Sequence, residues 1–283
     1  MDESLSLTGV FRKQWVALEG SPITQDFNAH LPWYFLSGGL GLDVENDILG
    51  VERNTRVTFS YNYIKELRSN SFFSIGLGTG FLQKSLDGAQ LRAPEGTYTG
   101  GTVNHNDDFL PEGKISGIAP MLNFGAYYKN NSLEAGFSIN NLVAAPITYE
   151  AFNSVKIDQV RSYFFIFAYD FELGKRFGLK PSVFVKSDAI QTQAELSTLL
   201  KYNEKIFGGF SLRGYNNNTL DAVVFLAGMN VTDKITVAYS YDLSLSPLRM
   251  VNKGSHEIMI NYNLRKEIGG AVPAKVIYNP RFY

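Results

Sequence analysis

Every second residue is apolar or aromatic in one short segment after another along this chain, and Gly, Asn, Asp and Ser punctuate the joints. Val57, Phe59, Tyr61 and Tyr63 form one such row, and Tyr163, Phe165, Phe167, Tyr169 and Phe171 a second. Ile235, Val237, Tyr239 and Tyr241 form a third, and His256, Ile258, Ile260, Tyr262 and Leu264 a fourth. A side-chain period of two belongs to a β-strand. The residues in between are mostly small or polar: Thr58, Ser60, Asn62; Thr236, Ala238, Ser240, Asp242; Ser255, Glu257, Met259, Asn261, Asn263. A wall that separates lipid from a wet lumen needs strands with one face of each kind.

Hydropathy alone would not select this class, because its mean is −0.10. A membrane helix needs about 20 consecutive apolar residues, and the best runs, Ala222 to Met229 and Tyr163 to Tyr169, are far shorter. Helical spanning is therefore excluded. A closed barrel is the other way to satisfy every backbone N–H and C=O inside a bilayer. The expected fold is all-β, a transmembrane antiparallel β-barrel. A soluble β-sandwich would also alternate, but its outer face should carry charge rather than rows such as Tyr163, Phe165, Phe167 and Tyr169.

About fourteen strands are predicted, at 6–18, 23–32, 34–45, 54–65, 71–84, 117–130, 132–143, 159–172, 178–189, 191–202, 205–215, 220–231, 234–245 and 254–265. The linkers then fall into two alternating sets. One is short throughout: Leu31 to Tyr34, Glu66 to Asn70, Lys129 to Ser132, Gly174 to Gly178, Asn203 to Lys205 and Thr232 to Lys234. The other holds every long connection, including Leu86 to Ser116, Ala144 to Asp158 and Ser246 to Lys253. Outer-membrane barrels have short periplasmic turns and longer external loops, so both termini are expected in the periplasm. The domain division expected is a barrel over residues 1–265 and a periplasmic tail over 266–283. Leu86 to Ser116 could be a mobile surface loop, a plug, a cap or a holder for an external partner.

Charge on the lipid face costs about 2 to 4 kcal/mol for Arg or Lys at the midplane, so Lys186, Asp188, Arg213, Asp242 and Glu257 are expected to face the lumen. Closure pairs the first and last strands, which brings Arg12 or Lys13 close to Glu257. Such a network can brace the wall or guide a polar solute. The formal net charge of −1 and the lack of a basic cluster leave no case for nucleic acid. Absence of Cys fits an exported protein and removes a cysteine-linked lipid anchor. The opening Met1-Asp-Glu-Ser-Leu-Ser6 lacks a signal peptide's basic and apolar regions, so a signal is expected upstream of this numbering. His30, His105 and His256 have no metal-ligand spacing, and no cofactor is expected. Gly76, Gly78 and Gly80 alternate within a strand rather than opening a helix, so they make no phosphate loop.

Several ordered motifs resemble one family. Arg12-Lys-Gln-Trp15, Gly20-Ser-Pro-Ile-Thr24, Asn28-Ala-His-Leu-Pro32, Gly39-Leu-Gly-Leu-Asp43 and Asp47-Ile-Leu-Gly50 stand near the N-terminus. Leu179-Lys-Pro-Ser-Val183 with Lys186 and Gly208-Gly-Phe-Ser-Leu-Arg213 follow, then Ala238-Tyr-Ser-Tyr-Asp242 and Gly254-Ser-His-Glu-Ile258. In this order they resemble the PorP/SprF outer-membrane proteins of Bacteroidetes, which work with type IX secretion and gliding machinery. That family usually carries an Asn-Pro-Ala-type segment ahead of the first strand, which is not seen here. The resemblance implies a platform in the outer membrane for secretion, anchoring or movement of a large surface adhesin or its C-terminal domain. Tail ends of the family look similar to this one, which closes on Val276-Ile-Tyr-Asn-Pro-Arg-Phe-Tyr283. Tyr278, Pro280, Arg281, Phe282 and Tyr283 form a candidate docking peptide for periplasmic secretion or motor components, or a segment that folds back over the rim. The competing function is a passive or gated transporter for small polar or lipidic solutes.

Overall fold

The computed structural model of the protein describes residues 4–33, 36–68, 70–149, 152–215 and 219–268. The strands are β1 (Ser4–Lys13), β2 (Ile23–Trp33), β3 (Gly38–Leu49), β4 (Glu52–Arg68), β5 (Ser71–Asp87), β6 (Lys114–Lys129) and β7 (Leu133–Asn140). There follow β8 (Ile147–Tyr149), β9 (Phe152–Ile157), β10 (Ser162–Tyr169), β11 (Phe171–Leu173), β12 (Phe177–Ser187) and β13 (Thr192–Tyr202). The last are β14 (Ile206–Tyr215), β15 (Thr219–Asn230), β16 (Ile235–Ser244) and β17 (Ser255–Glu267). Each pairs antiparallel with its neighbours, and β1 pairs with β17 to close the ring. β10 and β11 form one wall strand broken at Asp170, and β8 with β9 is a separate hairpin, so the wall is a closed barrel of fourteen strands.

Burial is inverted relative to a water-soluble core. Outward Phe59 is 58% exposed while inward Thr58 beside it is 9% exposed. Phe11, Phe27, Leu77, Phe210, Phe225, Ile258 and Ile260 continue the outer apolar surface. Exposed aromatics, Trp33 and Tyr63 on β2 and β4 and Tyr169, Phe171, Phe177 and Tyr202 on β10 to β13, line parts of the end that has the short turns. Amphipathic rings suit the boundary between hydrocarbon and headgroups. The closing seam is polar on its inner side: the Ser4 hydroxyl donates to Asn263 Oδ1 at 2.5 Å, and Asn261 Nδ2 donates to the hydroxyls of Ser6 and Thr8 at 2.9 and 2.8 Å.

Several boundaries moved. β1 stops at Lys13 rather than 18, because the backbone turns at Trp15 and Ala17 with φ of 49° and 77°. β3 and β4 run on through the expected loop at 46–53 to a two-residue turn in which Gly50 takes φ 57°. Inward Asp43, Glu45 and Asp47 simply continue the alternation there. The turn after β13 puts three residues between the paired Tyr202 and Ile206; Asn203 and Glu204 take φ of 49° and 54°, and the Lys205 N–H closes on the Tyr202 carbonyl at 3.0 Å. The wall is also uneven. β6 pairs with β7 only from Phe124 to Lys129, so its upper part, Lys114 to Asn123, stands above β7 at the long-loop end.

Candidate functional site

The lumen gathers the charges. Arg213 Nε donates to Glu195 Oε2 at 2.8 Å, and Arg213 Nη1 to Asp242 Oδ2 at 2.8 Å. Arg12 Nη2 donates to the same Asp242 oxygen at 2.6 Å, and Arg12 Nη1 to Glu257 Oε2 at 3.1 Å. In strand order this belt runs β13, β14, β16, β17, β1. Arg213 reaches Asp242 over the small inner residues of β15, Ala222 and Val224, and Arg12 binds across the closing seam. The belt therefore lies along the wall and does not cross the bore. Asp242 is the hub, with a side chain only 3% exposed.

Sequence reasoning placed Arg12, Arg213, Asp242 and Glu257 in the lumen, and the fold brings these four together. Lys186 also faces inward, but it stands apart with its ammonium 5.9 Å from the centre of the Phe164 ring. Asp188 departs from expectation. β12 ends at Ser187, and Asp188 opens the turn to β13, where Oδ1 accepts the N–H groups of Ile190 and Gln191 at 2.9 and 2.7 Å. Those backbone donors, Gln191 foremost, hold its carboxyl below the ordinary range. The tail residues Tyr278, Pro280, Arg281, Phe282 and Tyr283 lie outside the described residues.

A second belt near the short turns was missed. Glu134 takes Lys129 at 2.8 Å, Lys180 at 3.0 Å and the Tyr127 hydroxyl at 3.0 Å. Asp170 continues it to Lys180 at 3.3 Å and Lys201 at 3.7 Å. Between the belts, Asp26 on β2 and Asp43, Glu45 and Asp47 on β3 form an acidic stripe, which Arg56 meets at Glu45 at 2.6 Å. Two cavities of about 550 and 620 Å³ follow the inner wall toward the short turns, sharing Asn62. Gly76, Gly125, Gly136, Phe164 and Phe184 line the first, and His30, Gly39, Gly41 and Glu66 the second.

The inward plug is not the longest loop. It is the β8–β9 hairpin inside the expected linker Ala144 to Asp158. Ile147 packs on Leu82, Ala119 and Met121, which all point into the lumen. A Cβ on Gly117 would come within 2.5 Å of the Thr148 carbonyl oxygen, so only glycine admits the hairpin this close. Tyr149 is buried beside it, and burial, with Glu52 adding, pushes its hydroxyl pKa up. The loop over residues 88–113 instead folds on itself around His105, which is 1% exposed. His105 Nε2 sits 3.0 Å from both the Gly88 and Pro111 carbonyl oxygens, so it carries the hydrogen, and Nδ1 accepts from the Tyr98 hydroxyl at 2.9 Å. His30 lies in the lumen near the short turns and His256 on the outer face beside Tyr239, so the three histidines do not meet. Among the described residues no group of His, Asp and Glu has the geometry of a metal site.

A sequence model described as "Type IX secretion system membrane protein PorP/SprF" matches residues 1–262. The chain belongs to this family. Membership and fold together place it in the outer membrane as a component of type IX secretion. Among curated proteins no relative matches. Two similar solved structures are outer-membrane barrels or channels. The Acinetobacter baumannii outer membrane protein Omp33 shares 7% identity with TM-score 0.51, over 92% of this chain and 97% of that one. The CymD monoaromatic hydrocarbon channel shares 11% with TM-score 0.52, over 95% and 90%. At such identity the likeness concerns the fold alone, and it agrees with the PorP/SprF assignment to a membrane barrel.

Proposed function

We propose that this PorP/SprF protein is a non-enzymatic platform that anchors, or helps export, a large cell-surface adhesin handled by the type IX machinery. The family match carries the reading. Binding is its mechanism: the barrel fixes the platform in lipid, both termini lie in the periplasm, and the long loops meet the surface protein. The tail over 266–283, including Pro280, engages periplasmic secretion or motor components, with Tyr278, Phe282 and Tyr283 as anchors and Arg281 as the charged contact. An inward hairpin and a self-folded 88–113 loop suit a platform better than an open pore.

The test is a gentle detergent pull-down from native membranes with identification of the bound chains. A giant surface protein should co-purify with the wild type, and truncation at Lys266 should release the periplasmic partners. A barrel that comes down alone would sink the proposal. The lumen cavities favour a second reading, transport of small polar or lipidic solutes. Steady large conductance in planar bilayers would favour it over anchoring.

A further inference from the structure

The barrel wall has an open flank at the long-loop end. On β6 the odd-numbered residues bond to β5, as the Gly88 N–H to Gly113 carbonyl bond at 3.1 Å fixes. The N–H and C=O groups of Lys114, Ser116, Ile118, Pro120 and Leu122 therefore point the other way, toward the missing upper part of β7. The Leu122 carbonyl accepts from the Leu142 N–H at 2.7 Å, and the Pro120 carbonyl from Gln159 Nε2 at 3.3 Å. Pro120 has no N–H to offer, so its position ends the edge on that side. Above it, among the described residues, Lys114, Ser116 and Ile118 have no ladder partner on this flank. The β8–β9 hairpin packs behind the edge against inner side chains and pairs with itself, and among its described residues none forms a ladder with the edge. Ile118, Val143 and Val160 stand exposed around it.

A row of unsatisfied backbone donors and acceptors is a template for another strand, and nothing else reads it as completely. We propose that the β6 edge from Lys114 to Ile118 accepts an extended segment of the surface protein, which adds to the sheet as a short strand with apolar side chains toward Ile118. This rests on the anchoring role proposed above. The occupant is identified by what the edge offers: backbone rungs for any extended polypeptide, and an apolar margin for its alternate residues.

The test uses the full-length protein in its native membrane. Ser116→Pro with Ile118→Pro removes two outward N–H groups while leaving the β5 ladder intact. The double variant should still show the heat-modifiable migration of a folded barrel, yet recover about tenfold less of the surface protein found with the wild type. Independently of any folding defect, a photo-crosslinking residue at Ile118 should trap that protein, whereas one at outward Thr55 on β4 should not. Full recovery by the folded double variant, or equal crosslinking at Ile118 and Thr55, would overturn the edge as the site while leaving anchoring intact. A wild-type barrel that holds no surface protein would overturn both.

Discussion

The two charge belts of the lumen use the same residue types in different surroundings. Near the long loops, Asp242 is 3% exposed and serves two guanidinium groups that are each under a fifth exposed. Near the short turns, Glu134 is 14% exposed and serves two lysines, whose side chains are 44% exposed at Lys129 and 23% at Lys180. Arginine's planar fork suits a shared, enclosed carboxylate, whereas lysine's mobile ammonium keeps contact with water. One belt thus holds a seam shut, and the other trims a wet rim. Charge inside a barrel matters according to how much water remains around it.

Asp242→Ala gives the largest effect expected, because it leaves Arg12 and Arg213 facing each other without their shared carboxylate. The loss should be about 3 kcal/mol, read from urea unfolding in lipid vesicles. Ile147→Ala sharpens the comparison with packing at the same end. It should cost about 2 kcal/mol locally, seen as protease cleavage in the hairpin while the barrel keeps its heat-modifiable migration. Glu134→Ala should cost no more than about 1 kcal/mol, and equality with Asp242→Ala would erase the distinction between the belts. The smallest effect concerns Asp188. Its lowered pKa means that the turn's stabilisation is complete above the ordinary carboxylate range and fades as pH falls through the lowered value. Asp188→Asn should remove that acid-side loss, measured as hydrogen exchange at the Gln191 amide.

The alternation of greasy and polar positions made the barrel legible, and the parity of linker lengths separated its two ends. Closure of the first strand on the last was enough to bring Arg12 to Glu257. Glu195 was within reach too, since the three-residue turn Asn203-Glu204-Lys205 sets a register that puts it opposite Arg213. Glu134 follows similarly from the turn after Lys129. Asp188 misled because the alternation continued through it while the strand ended one residue earlier. The inward hairpin was not legible. Ile147 and Tyr149 alternate like wall residues, and only the glycine and small side chains on a distant stretch of β6 make room for them inside. The longest loop attracted attention by its length, yet it folds on itself, with the His105 imidazole buried at its centre and the Thr97–Asn104 bridge beside it.

The chain contains no Cys, so single cysteines can report on each face of β17 without background. Fluorophores at Ile258 and Ile260 should be quenched by a quencher carried on lipid chains, and fluorophores at Met259 and Asn261 only by one dissolved in water. Equal quenching of all four from the bilayer, or none from it, would contradict a wall with lipid on one side and a wet lumen on the other.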